Sequence, residues 1–189
     1  MADKPLLTRG NHKLSSNTLI FNLPAIPEVC GRICPGCYAI KAQRVYPTVL
    51  PSRMQKLAAS RLDTFSTAIL KELANAKKPF KYVRIHESGE FTTQSYLDAW
   101  HKIATKWPSA TFYAYTKKLK ILDFSEIRKL PNVVIIDSLQ SGGLNYGSLE
   151  YCPPGTPICE YGAAIQCGED CTYCMTKEAQ ERGIWFIKH

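Results

Sequence analysis

Two stretches of this 189-residue chain set three cysteines at C-x3-C-x2-C: CGRICPGC, with Cys30, Cys34 and Cys37, and CGEDCTYC, with Cys167, Cys171 and Cys174. Three thiolates on one tight loop can take three corners of an iron–sulfur cubane, whereas structural zinc more often uses two C-x2–4-C pairs across a longer span. Pro35 and Gly36 keep the first loop compact and let its backbone turn close to a metal. Cys152 and Cys159 bring the total to eight, and none lies between residues 38 and 151. A disulfide framework would spread more evenly and would need an oxidising compartment. The spacing therefore predicts metal ligation, iron–sulfur ahead of zinc, by Cys30, Cys34, Cys37, Cys152, Cys159, Cys167, Cys171 and Cys174. The division among sites stays open. Each spare cysteine could complete one triplet, giving two closed four-thiolate sites; Cys159 could join the second triplet and leave the first with an open iron; or both ends could share a single cluster with some cysteines merely structural, so that one or two [4Fe–4S] clusters are expected.

A second dense group is RIHESGEF, residues 84–91. His86, Glu87 and Glu90, with Ser88 and Gly89 forming the turn, are candidates to bind a cofactor's amine or carboxylate or to move protons. The next strand ends in YAYTK, where Tyr115 and Lys117 would line the same rim with Tyr113 and Thr116. DSLQSGG offers Asp137, Ser138 and Gln140 more weakly.

These groups must be positioned by alternating strands and helices. TLIFNLPAI (18–26), KYVRIHE (81–87), ATFYAYT (110–116) and NVVIIDSL (132–139) read as strands, and GIWFIKH (183–189) as a short closing strand. Residues 52–77 carry Leu62, Phe65, Ile69 and Leu73 on one helical face, stopped by AKKPF; residues 92–107 carry Tyr96, Trp100, Ile103 and Trp107. DFSEIRKL (123–130) is a weaker helix. Alternation of this kind predicts parallel βα units. Four or five strands are too few for a complete eight-stranded barrel, and no Gly-rich dinucleotide fingerprint follows any strand. The expected fold is an α/β truncated TIM-barrel-like domain over residues 8–140, followed by a Cys-rich metal-binding segment, 141–189, within a single domain. Barrel-type folds place chemistry at the C-terminal ends of strands, where RIHESGEF lies.

The composition is 45% hydrophobic and 21% charged, enough apolar residues for a core. No apolar stretch is long enough to span a bilayer, and MADKPLLTRGNHK does not read as a secretory signal, so a cytoplasmic protein is expected. The net charge of +8 permits nucleic-acid affinity, but the basic residues are scattered and not interleaved with aromatics, which does not favour it.

The first triplet, together with SGEF ending the next strand, resembles the radical S-adenosylmethionine superfamily. That resemblance implies a [4Fe–4S] cluster on Cys30, Cys34 and Cys37, with Ser88, Gly89 and Glu90 meeting the methionyl amine of S-adenosylmethionine. The residue before the third cysteine is usually aromatic there and is Gly36 here. Most of the chain, roughly residues 8–189, resembles the phage gene product 88 family through LPAI, CYA, RIHESGEF, FYAYTK and CGEDCTYC. This implies a virally encoded protein of the bacterial host cytoplasm and assigns no reaction. The expected function is iron–sulfur binding, for electron transfer with a redox partner or for small-ligand binding at the cluster. A minimal radical S-adenosylmethionine enzyme and a zinc-stapled nucleic-acid-binding module are the alternatives.

Overall fold

The protein is seen in a computed structural model that describes residues 5–31, 37–138, 155, 157–159 and 166–186. Five strands form one open sheet in the order β1-β2-β3-β4-β5: Thr8–Arg9, Thr18–Phe21, Tyr82–Ile85, Thr111–Thr116 and Val133–Asp137. β1 pairs antiparallel with β2, and every later pair is parallel, with Ile20 beside Arg84, Arg84 beside Tyr113 and Tyr113 beside Val134. Each parallel strand is thus followed by its neighbour in the sheet. Right-handed crossovers in that order lay all the connecting helices on one face. An arc of a βα barrel shares this arrangement, but the five described strands do not close on themselves.

The helix-side core shows why. Leu19, Phe21, Val83, Ile85, Phe112, Ala114, Val133 and Ile135 point to it from the strands. They meet Phe65, Ile69 and Leu73 of α4 (Phe65–Ala74), Tyr96, Leu97, Trp100 and Ile103 of α5 (Gln94–Lys106) and Ile127 of α6 (Ser125–Lys129). At its centre Phe21, Phe65 and Trp100 stack edge to face with centroids 5.4–5.5 Å apart, a geometry that adds about 0.5–1.5 kcal/mol per pair beyond area burial.

Several sequence expectations change in detail. The first strand stops at Phe21 instead of Ile26, because Pro24 and Pro27 lack the N–H a ladder requires; Pro27 instead opens a one-turn helix, α1 (Pro27–Cys30). The single helix expected over 52–77 is two, α3 (Val49–Ser60) and α4. Arg61 and Leu62 bond back three residues, to Ala58 and Ala59, so the last turn tightens and the chain restarts at Phe65. Leu62, assigned to the buried face, is therefore 60% exposed. α5 begins where Thr93 caps it, its hydroxyl accepting from the Tyr96 N–H at 3.2 Å. Its far end is tied down by Asn132, whose amide donates to the carbonyls of Ala104, Trp107 and Ala110 at 3.0–3.2 Å.

The opposite face of the sheet is covered by the C-terminal segment. Met175, in a 3-10 turn (Tyr173–Met175), and Ala179, in α7 (Lys177–Arg182), pack on Tyr113, Val134 and Ile136. α7 also occupies the outer edge of β5. Gln180 Oε1 accepts from the Ile135 N–H at 3.0 Å, and the Lys177 ammonium donates to the Val133 carbonyl at 2.6 Å. The expected closing strand is short: β7 (Trp185–Phe186) pairs parallel with β6 (Ile158–Cys159) as a separate ribbon. The helix Tyr38–Val45 (α2), β1 and α7 were not foreseen. No helix is long and apolar enough to cross a membrane among the described residues.

Candidate functional site

The turn RIHESGEF is built by one side chain from the neighbouring strand end. Asn22 Oδ1 accepts from the N–H groups of Glu87 and Ser88 at 2.8 and 3.1 Å, while Leu23 N–H donates to the Ser88 carbonyl at 3.0 Å. Gly89 sits at φ +88, and a Cβ there would stand 2.5 Å from Leu23 Cβ, so no other residue fits.

This geometry sorts the candidate residues. His86 adopts φ +62, which turns its imidazole away from the rim and into the helix-side core. There Nε2 pairs with the Tyr96 hydroxyl at 2.8 Å, and burial, helped by Arg84, holds its pKa down to about 3. A ring locked neutral among Phe21, Phe91 and Tyr96 is a structural histidine, not a proton carrier. Glu90 is also committed. One carboxylate oxygen accepts from the Thr116 hydroxyl at 2.8 Å and the Phe91 N–H at 3.0 Å; the other accepts from the Lys117 N–H at 2.8 Å. Burial pushes its carboxyl up against the pull of those bonds. Ser88 donates its hydroxyl proton to the Leu23 carbonyl. SGEF thus joins β3 to its neighbours, and the groups expected to meet a cofactor's amine are spent on the chain itself. Glu87 remains nearer the surface, its carboxylate accepting from Asn11 at 3.0 and 3.1 Å.

The cysteines fall into two places. In the first triplet Cys30 ends α1 and packs against the helix-side core, and Cys37 precedes α2; Cys34 lies outside the described residues. The residues flanking it meet the strand ends: the Tyr38 hydroxyl donates to the Glu87 carbonyl, and a Cβ on Gly31 would meet the Lys118 ammonium at 3.2 Å. The second triplet docks on the β1–β2 loop. Cys167 N–H donates to the Lys13 carbonyl, and Ser15 N–H to the Cys167 carbonyl, both at 2.9 Å. Gly168 at φ +92 lets that backbone approach Ser15 and Thr18.

Cys174 lies at the sheet's inner face beside Tyr115, which hydrogen-bonds to it. Burial pushes its thiol up to about 11, opposed by Tyr115 and by Arg84 and reinforced by Cys159 and Cys167. Cys167 is raised as well, chiefly by burial, with Cys159 and Cys171 adding to it. Cys167 is thus within electrostatic reach of Cys159 and Cys171, and Cys174 of Cys159 and Cys167. All four, and Cys37, are thiols without disulfides. Cys152 and Gln140 lie outside the described residues. The donor types suit a thiophilic metal, but among the described residues no three His, Cys, Asp or Glu side chains stand together at ligating separation. Closing a site would require these side chains to turn toward a common centre.

Two charged residues were not singled out from sequence. Arg53 reaches α2, the helix that follows the first triplet, donating to the Ala39 carbonyl and to Gln43 at 3.1 Å. Arg84 lies on the inner face with its guanidinium carbon 4.3 Å from the Tyr115 ring centre and 5.0 Å from that of Tyr113. It is felt by Tyr38, beside the first triplet, and by Cys167 and Cys174 of the second. Its signal was in the alternation: Val83 and Ile85 face the helices, so the residue between them must face the other way. Tyr115 lies beside this guanidinium and the second triplet. Lys117 and Asp137 are half-buried at the ends of β4 and β5, and Ser138 is buried.

Taken together, these features define a singly wound α/β protein whose inner sheet face is overlain by a cysteine-rich segment. The chain belongs to the gene product 88 family, whose model matches residues 5–154. It is 24% identical over 119 residues to the Gene 88 protein of Mycobacterium phage D29, covering 60% of this chain and 50% of that one. It is likewise 24% identical over 122 residues to the Gene 88 protein of Mycobacterium phage L5, covering 61% and 51%. The affiliation is thus with bacteriophage proteins, and the chain spans about half the length of these curated relatives. No solved structure matches it.

Proposed function

We propose that this protein binds an iron–sulfur cluster, a [4Fe–4S] centre, through Cys159, Cys167, Cys171 and Cys174. In the bacterial host cytoplasm the centre would serve electron transfer to a redox partner or hold a small ligand. One observation carries the reading. Cys167 forms a backbone bridge to Cys171 and packs with Cys174 against the Tyr113 cluster of one sheet face, and Cys159, outside the triplet in sequence, acts electrostatically on both Cys167 and Cys174. Four thiolates are the usual protein ligand set for such a cluster, and a neighbouring cation such as Arg84 offsets the negative charge they bring. Protein purified without oxygen should be brown, with about four iron and four sulfide per cluster. A colourless protein carrying zinc in their place would overturn the proposal.

A second reading concerns the first triplet, which would hold a cluster able to bind S-adenosylmethionine. The closeness of the flanking Gly31 and Tyr38 to the strand ends at Lys118 and Glu87 favours it. The commitment of Glu90 and Ser88 to the chain's own hydrogen bonds weighs on the other side. Reduced protein should then release 5′-deoxyadenosine from S-adenosylmethionine; no release, with no spectral change on adding it, would end this reading.

A further inference from the structure

Two polar groups on the sheet face opposite the helices are sealed from solvent yet have no hydrogen-bond partner among the described residues: Arg84 Nε and the Tyr113 hydroxyl. They come from residues directly opposite in the β3–β4 register, so they share one face and one level of the sheet. Tyr113 is 1% exposed. The Arg84 guanidinium lies over this ring and that of Tyr115, and makes no ion pair within 4.0 Å among the described residues. Glu87, the carboxylate that acts on it electrostatically, is occupied by Asn11 and Asn22. Burying a polar group without a partner costs roughly 1–3 kcal/mol, and more when the group is charged. Native proteins keep such groups where a ligand, ion or water completes them.

We infer that Arg84 and Tyr113 form an anion-binding site that takes the carboxylate or phosphate group of a small ligand. The guanidinium edge at Nε presents parallel N–H donors suited to two oxygens of one oxyanion, and the Tyr113 hydroxyl supplies a further donor beside it. The Tyr113 and Tyr115 rings hold the guanidinium plane in position, so little side-chain freedom is lost on binding. Arg84 is half-buried, so its charge is screened less than in open water and pairs more strongly with an anion. Cys167 and Cys174 adjoin this site, so an anion held there would lie next to any metal these thiols bind. The inference does not depend on such a metal.

The test uses the purified full-length chain with its iron content measured first. Acetate and inorganic phosphate are titrated separately by calorimetry at matched ionic strength, because a basic protein also attracts anions non-specifically. At least one of the two should bind saturably, with a Kd on the order of 1 mM or tighter, with or without iron present. Arg84→Gln should abolish this binding. Tyr113→Phe should weaken it about tenfold, yet leave the thermal midpoint of the ligand-free protein unchanged or higher, since it removes an unpaired buried hydroxyl. Arg182→Gln, a substitution in an exposed ion pair with Glu178, should change nothing. Failure of both anions to bind saturably, or equal binding by Tyr113→Phe and the unaltered chain, would overturn the inference. Neither result bears on whether the cysteines hold iron.

Discussion

The Glu90 carboxylate accepts a hydrogen bond from the Thr116 hydroxyl at 2.8 Å, tying the turn after β3 to the last residue of β4. With the Phe91 and Lys117 N–H groups, three donors converge on one buried side chain. Glu90→Gln replaces one acceptor oxygen with an NH2 group that faces donors. It should lower unfolding stability by about 1–3 kcal/mol, read from urea denaturation, while iron bound per folded molecule stays constant. Loss of iron without loss of stability would mean that Glu90 serves the cofactor directly.

His86 gives the fold an acid sensitivity of known sign. Its folded pKa, about 3, lies below the ordinary 6.5, so its contribution is complete above pH 6.5 and is lost as pH falls toward 3. Within that window stability should fall by up to about 1.4 kcal/mol per pH unit from this group alone. His86→Asn, which tolerates a positive φ, should flatten that part of the profile even though it loses the Tyr96 bond. An unchanged acid slope in the variant would show that another group titrates there.

Gly89→Ala should be among the most damaging small substitutions in the chain. The positive φ and the 2.5 Å approach to Leu23 Cβ act together, and the cost should reach at least about 2 kcal/mol, measured as a drop in thermal midpoint.

Asn132→Ala removes the amide that serves three carbonyls at the end of α5. A loss of about 1–3 kcal/mol is expected, with faster hydrogen exchange confined to the last turn of α5 and the start of β5. Uniform exchange across the sheet would mean that the cap is not local.

The proposed iron–sulfur centre predicts a coupling between bound iron and stability. Cys159→Ser and Cys174→Ser should each reduce bound iron and sulfide, and chelation of the unaltered protein should lower its thermal midpoint, since a ligand of the folded state stabilises it. Iron retained in full by both variants would place the cluster on other cysteines.

The helical face of Tyr96, Trp100 and Ile103 and the alternating strands were legible because period and burial coincide along them. The break between α3 and α4 was not, since the apolar spacing runs on through Leu62 while the hydrogen bonds shift from four residues back to three. For the site, residue type pointed to the cysteines and to RIHESGEF, but not to direction. His86 and Glu90 look reactive in sequence; a positive φ sends one into the core, and three donors occupy the other. Arg84 looked ordinary beside them, because its importance comes from what surrounds it across β4.

The grip of Lys177 and Gln180 on the rim of β5 has a bearing on solubility. Those side chains answer backbone groups that would otherwise be open to any extended peptide, and a bare parallel edge is a template for adding strands from other molecules. A chain cut ahead of Lys177 would keep its aromatic core yet offer Val133–Asp137 as a docking rail. Its expected fate is ordered self-association into fibrils at concentrations where the full-length protein stays dispersed.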